Sequence, residues 1–136
     1  MTTRISFFTV LFILFSATLI SCAGARVDKA YVFDRTLRSY NNLLQSKDLE
    51  SASNLVHPSI HQRFYEEGQK LVDNTNISTI KIRSVTMDKS GDKAIVVIVR
   101  DIFDNQTYEV RQVTVTQTWE KSGLGASSWR LVDGEF

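Results

Sequence analysis

Cys22 is the only cysteine in this sequence of 136 residues, and it closes the stretch Leu19-Ile20-Ser21-Cys22. A lone cysteine in an exported chain has no internal disulfide partner, which leaves its thiol for covalent modification or an intermolecular bond. The other side chains able to do chemistry are scattered. Tyr31, Tyr40, Asp101, Tyr108 and Trp119, with His57 and His61, are candidates for lining a pocket, because a buried phenol or carboxyl with a shifted pKa can exchange a proton with a polarised carbonyl. Each also has a plainer explanation. Tyr31 and Tyr40 fall on an apolar helical stripe and read first as core residues with the hydroxyl at the rim. Asp101 interrupts an apolar run and is the most unusual of the set, yet a strand-end charge or a pair with Arg100 or Arg111 accounts for it. Trp119 and Trp129 read as packing at the end of a sheet.

No motif turns these residues into a metal or cofactor site. His57 and His61 are four apart, the spacing that ligates a metal on a continuous helix, but Pro58 breaks the continuity and no third ligand stands nearby. Asp88, Asp92 and Asp104 lack the alternating spacing of a calcium loop. There is no Gly-rich phosphate loop and no nucleophile elbow, so no cofactor is expected. Charge excludes another class. With 16 basic and 15 acidic residues and no basic cluster, the chain lacks the surplus that offsets phosphate charge, which argues against nucleic-acid binding.

Between Arg4 and Arg26 lie 21 uncharged residues, of which Ile5 to Phe15 are apolar except for Ser6 and Thr9. A basic start, an apolar run and then the small residues Ser16-Ala17 have the form of a secretory signal peptide. At its end, Leu19, Ile20, Ser21 and Cys22 resemble the lipobox of bacterial lipoproteins. The resemblance implies cleavage before Cys22, which becomes a new N-terminus bearing a thioether-linked diacylglycerol and an N-acyl chain. More than one buried chain gives stable anchoring. Ala23 after the cysteine implies the outer membrane, facing the periplasm, in a Gram-negative host. An uncleaved anchor is the competing reading, since about 20 apolar residues span a bilayer. Arg26, Lys29, Arg35 and Arg38 after the segment, against Arg4 alone before it, give the wrong charge order for an exported C-terminal domain. Residues 1–21 are thus expected to be a signal peptide, 22–26 a tether and 27–136 one domain.

Within that domain the period is first helical. Phe33, Leu37, Tyr40 and Leu44 recur at steps of four, three and four, predicting a helix from Val27 to about Ser46. Asp48 is placed to cap a second helix, which His57-Pro58 stops. Ser59 and Gln62 match a capping box for a third, with Ile60, Phe64 and Leu71 inward and Gly68 as an interruption. From Ile77 the period becomes two. Ile80 and Ile82 give way to Val85 and Met87, and this phase slip predicts a bulge near Arg83-Ser84. Ser90-Gly91-Asp92 is a turn signal, and Ala94 to Val99 reads as a central strand covered on both faces. Asp104-Asn105-Gln106 makes the next turn. A third strand is expected over Thr107 to Glu120, its inward set shifting from Tyr108 and Val110 to Val113, Val115, Gln117 and Trp119 through a bulge near Arg111-Gln112. Trp129 to Val132 is the last strand.

Helices followed by four long, bulged antiparallel strands, with Gln117-Thr118-Trp119 and Ser128-Trp129-Arg130-Leu131 flanking a glycine loop, resemble the nuclear-transport-factor-two-like fold. That family, with its cystatin-like relatives, packs N-terminal helices on a curved four-stranded sheet to form an α+β cone, and includes ketosteroid isomerase and scytalone dehydratase. No residue here matches the family's catalytic positions. The resulting expectation is a lipid-anchored envelope protein that binds a protein partner or a small apolar ligand. The alternatives are a lyase or isomerase using Asp101 with a tyrosine, and a dimeric subunit of an export or conjugation machine.

Overall fold

The structure, a computed structural model, describes residues 29–123 and 128–136. Helix α1, Lys29–Gln45, forms where the four-three-four spacing predicts, and it buries Phe33, Leu37, Tyr40 and Leu44 as one stripe. Lys47 takes a left-handed conformation (φ 63°) and turns the chain, its ammonium donating to the Val72 carbonyl at 2.7 Å. Helix α2, Leu49–Ser53, starts at Asp48, whose side chain accepts from the Ser51 N–H at 2.9 Å. That capping bond satisfies one of the orphan donors of the first turn.

The capping box at Ser59 and Gln62 does not form. A 3₁₀ turn over Pro58–Ile60 intervenes, and its cap is His57, which accepts from the Ser59 N–H. Gln62 instead donates to Glu66 at 3.0 Å, one turn further along helix α3, His61–Asn74. The inward residues of α3 are Phe64, Gly68 and Val72, with Ile60 and Leu71 only partly buried. Gly68 is therefore a close approach between helices. A β-carbon there would stand 3.1 Å from Leu49 Cδ2.

Four strands, β1 Thr75–Met87, β2 Lys93–Asp104, β3 Val110–Lys121 and β4 Trp129–Gly134, form an antiparallel meander in the order β1-β2-β3-β4. The phase slip in β1 is a bulge at Arg83, as the sequence predicts, and a second irregularity lies at Ser78. On the inner face the rows run Met87–Ala94–Trp119, Val85–Val96–Gln117, Ile82–Ile98–Val115 and Ile80–Arg100–Val113. The bulge expected near Arg111-Gln112 is absent, because β2 and β3 pair without a shift from Val110 to Glu120. Tyr108 belongs to the hairpin turn, with φ 59°, so the apparent change of phase there is the turn itself. The further irregularity falls between β3 and β4, beside Thr118.

Among the described residues, helices pack on the inner face only. The apolar run Ala94 to Val99 is thus covered on one side: Ala94, Val96 and Ile98 are buried, while Ile95 is 45% exposed and Val97 and Val99 are half-buried on the outer side. Inside, Phe33 packs against Trp129 with the rings tilted and their centroids 4.5 Å apart, Tyr40 meets Trp119 edge-on at 5.3 Å, and Phe64 meets Phe136 at 5.2 Å. This aromatic cluster fills one end of the cone. The segment after α2 closes the β4 edge, with His57 N–H donating to Leu131 O at 2.8 Å and Leu131 N–H to Leu55 O at 2.9 Å.

Candidate functional site

The sequence candidates do not meet in one place. Tyr31 is 66% exposed near the start of α1, away from the core. Tyr108 is 77% exposed in its turn, its ring 6.3 Å from Phe103. Asp101 alternates with the inward residues Arg100 and Ile102, so its carboxylate lies on the outer face, accepting from Gln112 Nε2 at 2.9 Å. Tyr40 and Trp119 are fully buried. Strand parity puts the Asp101 carboxylate on the opposite side of the sheet from Tyr40, so these two residues do not form a catalytic couple. His57 is occupied with Ser59, and His61 Nε2 donates to the Val56 carbonyl at 2.9 Å. Among the described residues no group of three or more His, Cys, Asp or Glu side chains is arranged to hold a metal. Cys22 and the preceding Leu19, Ile20 and Ser21 lie outside the described residues, as do the tether 22–26 and Val27.

The residue that stands out is Arg100. It projects from β2 into the interior in phase with Val96, Ile98 and Ile102 and is 0% exposed. None of its three guanidinium nitrogens has a hydrogen-bond partner among the described residues. Buried polar groups are nearly always paired, and burying an unpaired cation costs several kcal/mol. Burial lowers the Arg100 pKa, partly countered by Tyr40. The same burial pushes the Tyr40 phenol well above its ordinary range, and the charge of Arg100 pulls it back by less. Each group therefore senses the other across the interior.

Other buried polar atoms of the interior are also unpaired. Tyr40 Oη, Asn41 Oδ1 and Gln117 Nε2 are buried without hydrogen-bond partners among the described residues. Asn41 Nδ2 donates to the Leu37 carbonyl at 2.8 Å, and Gln117 Oε1 accepts from Trp119 Nε1 at 3.2 Å, so both amides are held in orientation by their other ends. A groove of about 470 Å³ opens between α1 and β1, lined by Arg38, Asn41, Asn42, Gln45, Ile80, Lys81 and Ile82. Its helix wall follows from the i, i+3, i+4, i+7 spacing, and its floor from the inward phase of β1. Gln45 ties the two walls together by donating to the Ser78 carbonyl at 3.1 Å. Ile80 in the floor is the cross-strand partner of Arg100, and Asn41 in the wall follows Tyr40 in sequence. The groove is therefore separated from Arg100 by one cross-strand neighbour, Ile80, and neither Arg100 nor Tyr40 lines it.

No protein-family model matches this sequence, and neither does any curated protein sequence. Solved structures do match. A ketosteroid isomerase-like protein from Erwinia carotovora atroseptica superposes with a TM-score of 0.62 at 14% identity, over 79% of this chain and 94% of that one. A SEC-C motif-containing protein from Rhodopseudomonas palustris gives 0.61 at 11% identity over 74% of each chain. The intermembrane space region of the chloroplast protein ARC6 gives 0.53 at 13% identity, over 78% of this chain and 94% of that one. The fold is nuclear-transport-factor-two-like. In such a cone the inner face of the sheet and the first helix together bound the interior, which is where Arg100 and Tyr40 lie. The sequence carried one signal for Arg100: within the two-residue period of β2 it shares the parity of Ala94, Val96, Ile98 and Ile102, whereas Asp101 does not.

Proposed function

We propose that this protein is a membrane-anchored binding module of the cell envelope, held on the extracytoplasmic side by lipidated Cys22 and taking a small ligand through the groove between α1 and β1. The observation that carries the binding half is the buried, unpaired guanidinium of Arg100, which stands across the β1–β2 pair from Ile80 in the lining of an open groove. The unpaired polar atoms of the interior belong to a guanidinium, a phenol and amides. Such groups orient a ligand, whereas general acid–base work needs a group poised near the working pH. The floor residues Ile80 and Ile82 suit the apolar part of a ligand. The anchor rests on the sequence, through the apolar run, the lipobox-like tetrad and the sole cysteine. Each half has a test. Metabolic palmitate should label the wild type and not Cys22→Ser, and equal labelling of both removes the anchor. Native mass spectrometry of the full chain, extracted from membranes in detergent, should find a small molecule that is lost in the groove-filling variant Asn42→Trp. The same spectrum for both proteins removes the ligand.

The outer face of the sheet, which no described helix covers, favours a second reading, a protein partner laid against Ile95, Val97 and Val99. A photo-crosslinking residue placed at Val97 in cells should then capture one discrete protein, and a featureless ladder speaks against it. A band of twice the chain's own mass would identify the homodimer.

A further inference from the structure

We infer that Arg100 anchors an internal site for a small monocarboxylate, whose apolar body lies in the groove over Ile80 and Ile82. This inference rests on the ligand-binding reading and adds the chemical class of the ligand. The donor balance supplies the first argument. Arg100 offers Nε, Nη1 and Nη2 and Tyr40 offers its hydroxyl, while Asn41 Oδ1 is the single pure acceptor among the buried unpaired atoms. A cation or a neutral donor finds too few acceptors there. An oxyanion finds several donors, with a full positive charge behind them.

The choice of carboxylate follows from charge and shape. Arg100 is the only charged side chain that is buried among the described residues, so a single negative charge is neutralised and a second is left over. A phosphate group near neutral pH carries about 1.5 to 2 negative charges and would exceed what one guanidinium balances in an apolar surround. The guanidinium fork also matches the planar carboxylate in a bidentate pair, which lysine does not reproduce. The surround is apolar: Ile98 and Ile102 flank Arg100 along β2, and Ile80 and Val113 stand across from it. Low polarity strengthens the pair and disfavours the solvated anion in competition.

The route is marked by charge as well. Arg38 and Lys81 line the groove with Asn41, Asn42 and Gln45, and none of the lining residues is acidic. Arg38 is itself bonded to Asp34 at 2.8 Å, on the solvent side of α1, which partly offsets its charge. A cleft lined by one sign of charge concentrates the opposite ion.

The test uses the full chain in non-ionic detergent, with acetate, butyrate and hexanoate as probes, and chloride and inorganic phosphate at equal ionic strength as controls. Carboxylates are expected to raise the melting temperature over chloride, more so with each added pair of methylenes, and to shift the Arg100 Nε–H resonance. Arg100→Met should lose the carboxylate-induced rise while remaining folded, and Arg100→Lys should weaken binding about tenfold. Several outcomes overturn the inference. A wild type that responds to carboxylates no more than to chloride means the guanidinium is satisfied by water. An equal response in Arg100→Met places the binding elsewhere, and an equal response to phosphate assigns a general oxyanion site. A neutral molecule found by mass spectrometry, bound equally by wild type and Arg100→Met, overturns the carboxylate and leaves the binding module standing. An absence of any bound species removes both.

Discussion

Arg100 and Ile80 face one another across β2 and β1 on the inner side of the sheet, which sets a buried guanidinium beside a residue that lines open solvent space. Burial of the charge and its closeness to the groove thus come from one register. A shift of β1 by a single residue would turn Ile80 outward and bring Thr79 or Lys81 to Arg100, because neighbouring residues of a strand point to opposite faces.

Arg100 without a ligand should weaken the fold. Replacing an unsatisfied buried charge by an apolar side chain of similar length removes its desolvation cost. Arg100→Met is therefore expected to stabilise the protein by roughly 1–4 kcal/mol, read as a higher urea midpoint at unchanged m-value. A lower midpoint would show that the guanidinium is well satisfied in the free protein.

Phe33 joins α1 to both tryptophans of the sheet, at 4.5 Å from Trp129 and 6.0 Å from Trp119. Truncation leaves a cavity that two rigid indole rings fill poorly. Phe33→Ala should cost about 3–5 kcal/mol, measurable by chemical denaturation. A loss below about 1 kcal/mol, the range of an ordinary surface change, would mean that α1 is not seated on this cluster.

Two glycines should respond differently to alanine. At Gly134, with φ 146°, a β-carbon would stand 2.7 Å from the Thr116 carbonyl oxygen, a backbone atom held by the sheet. Gly134→Ala is expected to destabilise by about 2 kcal/mol or more. At Gly68 the close atom is Leu49 Cδ2 at 3.1 Å, the end of a side chain that can give way. Alanine also improves helix propensity there by about 0.8–1 kcal/mol, so Gly68→Ala should shift the melting temperature little. Parallel thermal melts decide both.

The β1–β2 turn carries an acid-sensitive lock. Ser90 Oγ donates to Asp88 Oδ2 at 2.6 Å, and the N–H groups of Lys93 and Asp92 donate to Oδ1 at 3.1 and 3.0 Å. These bonds, that of Ser90 first, hold the Asp88 carboxyl down to about 2 from an ordinary 3.8. A folded value below the unfolded one means stability that is present above pH 3.8 and lost as pH falls through about 2. The difference in melting temperature between wild type and Asp88→Asn should be full above that window and shrink across it. A difference independent of pH would show that the carboxylate charge contributes nothing.

Much of the architecture was legible because it rests on local periodicity. The stripe of Phe33, Leu37, Tyr40 and Leu44 fixed α1, Asp48 announced the next cap, and the slip from Ile82 to Val85 placed the Arg83 bulge. Where two local signals competed, the pattern misled. Ser59 and Gln62 match a capping box, but His57 caps its own 3₁₀ turn and docks on Leu131 first. Tyr108 and Val110 suggested a bulge that is a turn.

Sequence alone determined the order of the elements, the α+β class and the singular position of Cys22, since spacing and composition are properties of neighbours along the chain. Tertiary structure decided which of the adjacent charges Arg100 and Asp101 faces inward. Alternation says only that they point oppositely. Which side is the interior depends on where α1 and α3 pack, through contacts between residues far apart in sequence, and that choice put a guanidinium rather than a carboxylate in the interior with Tyr40.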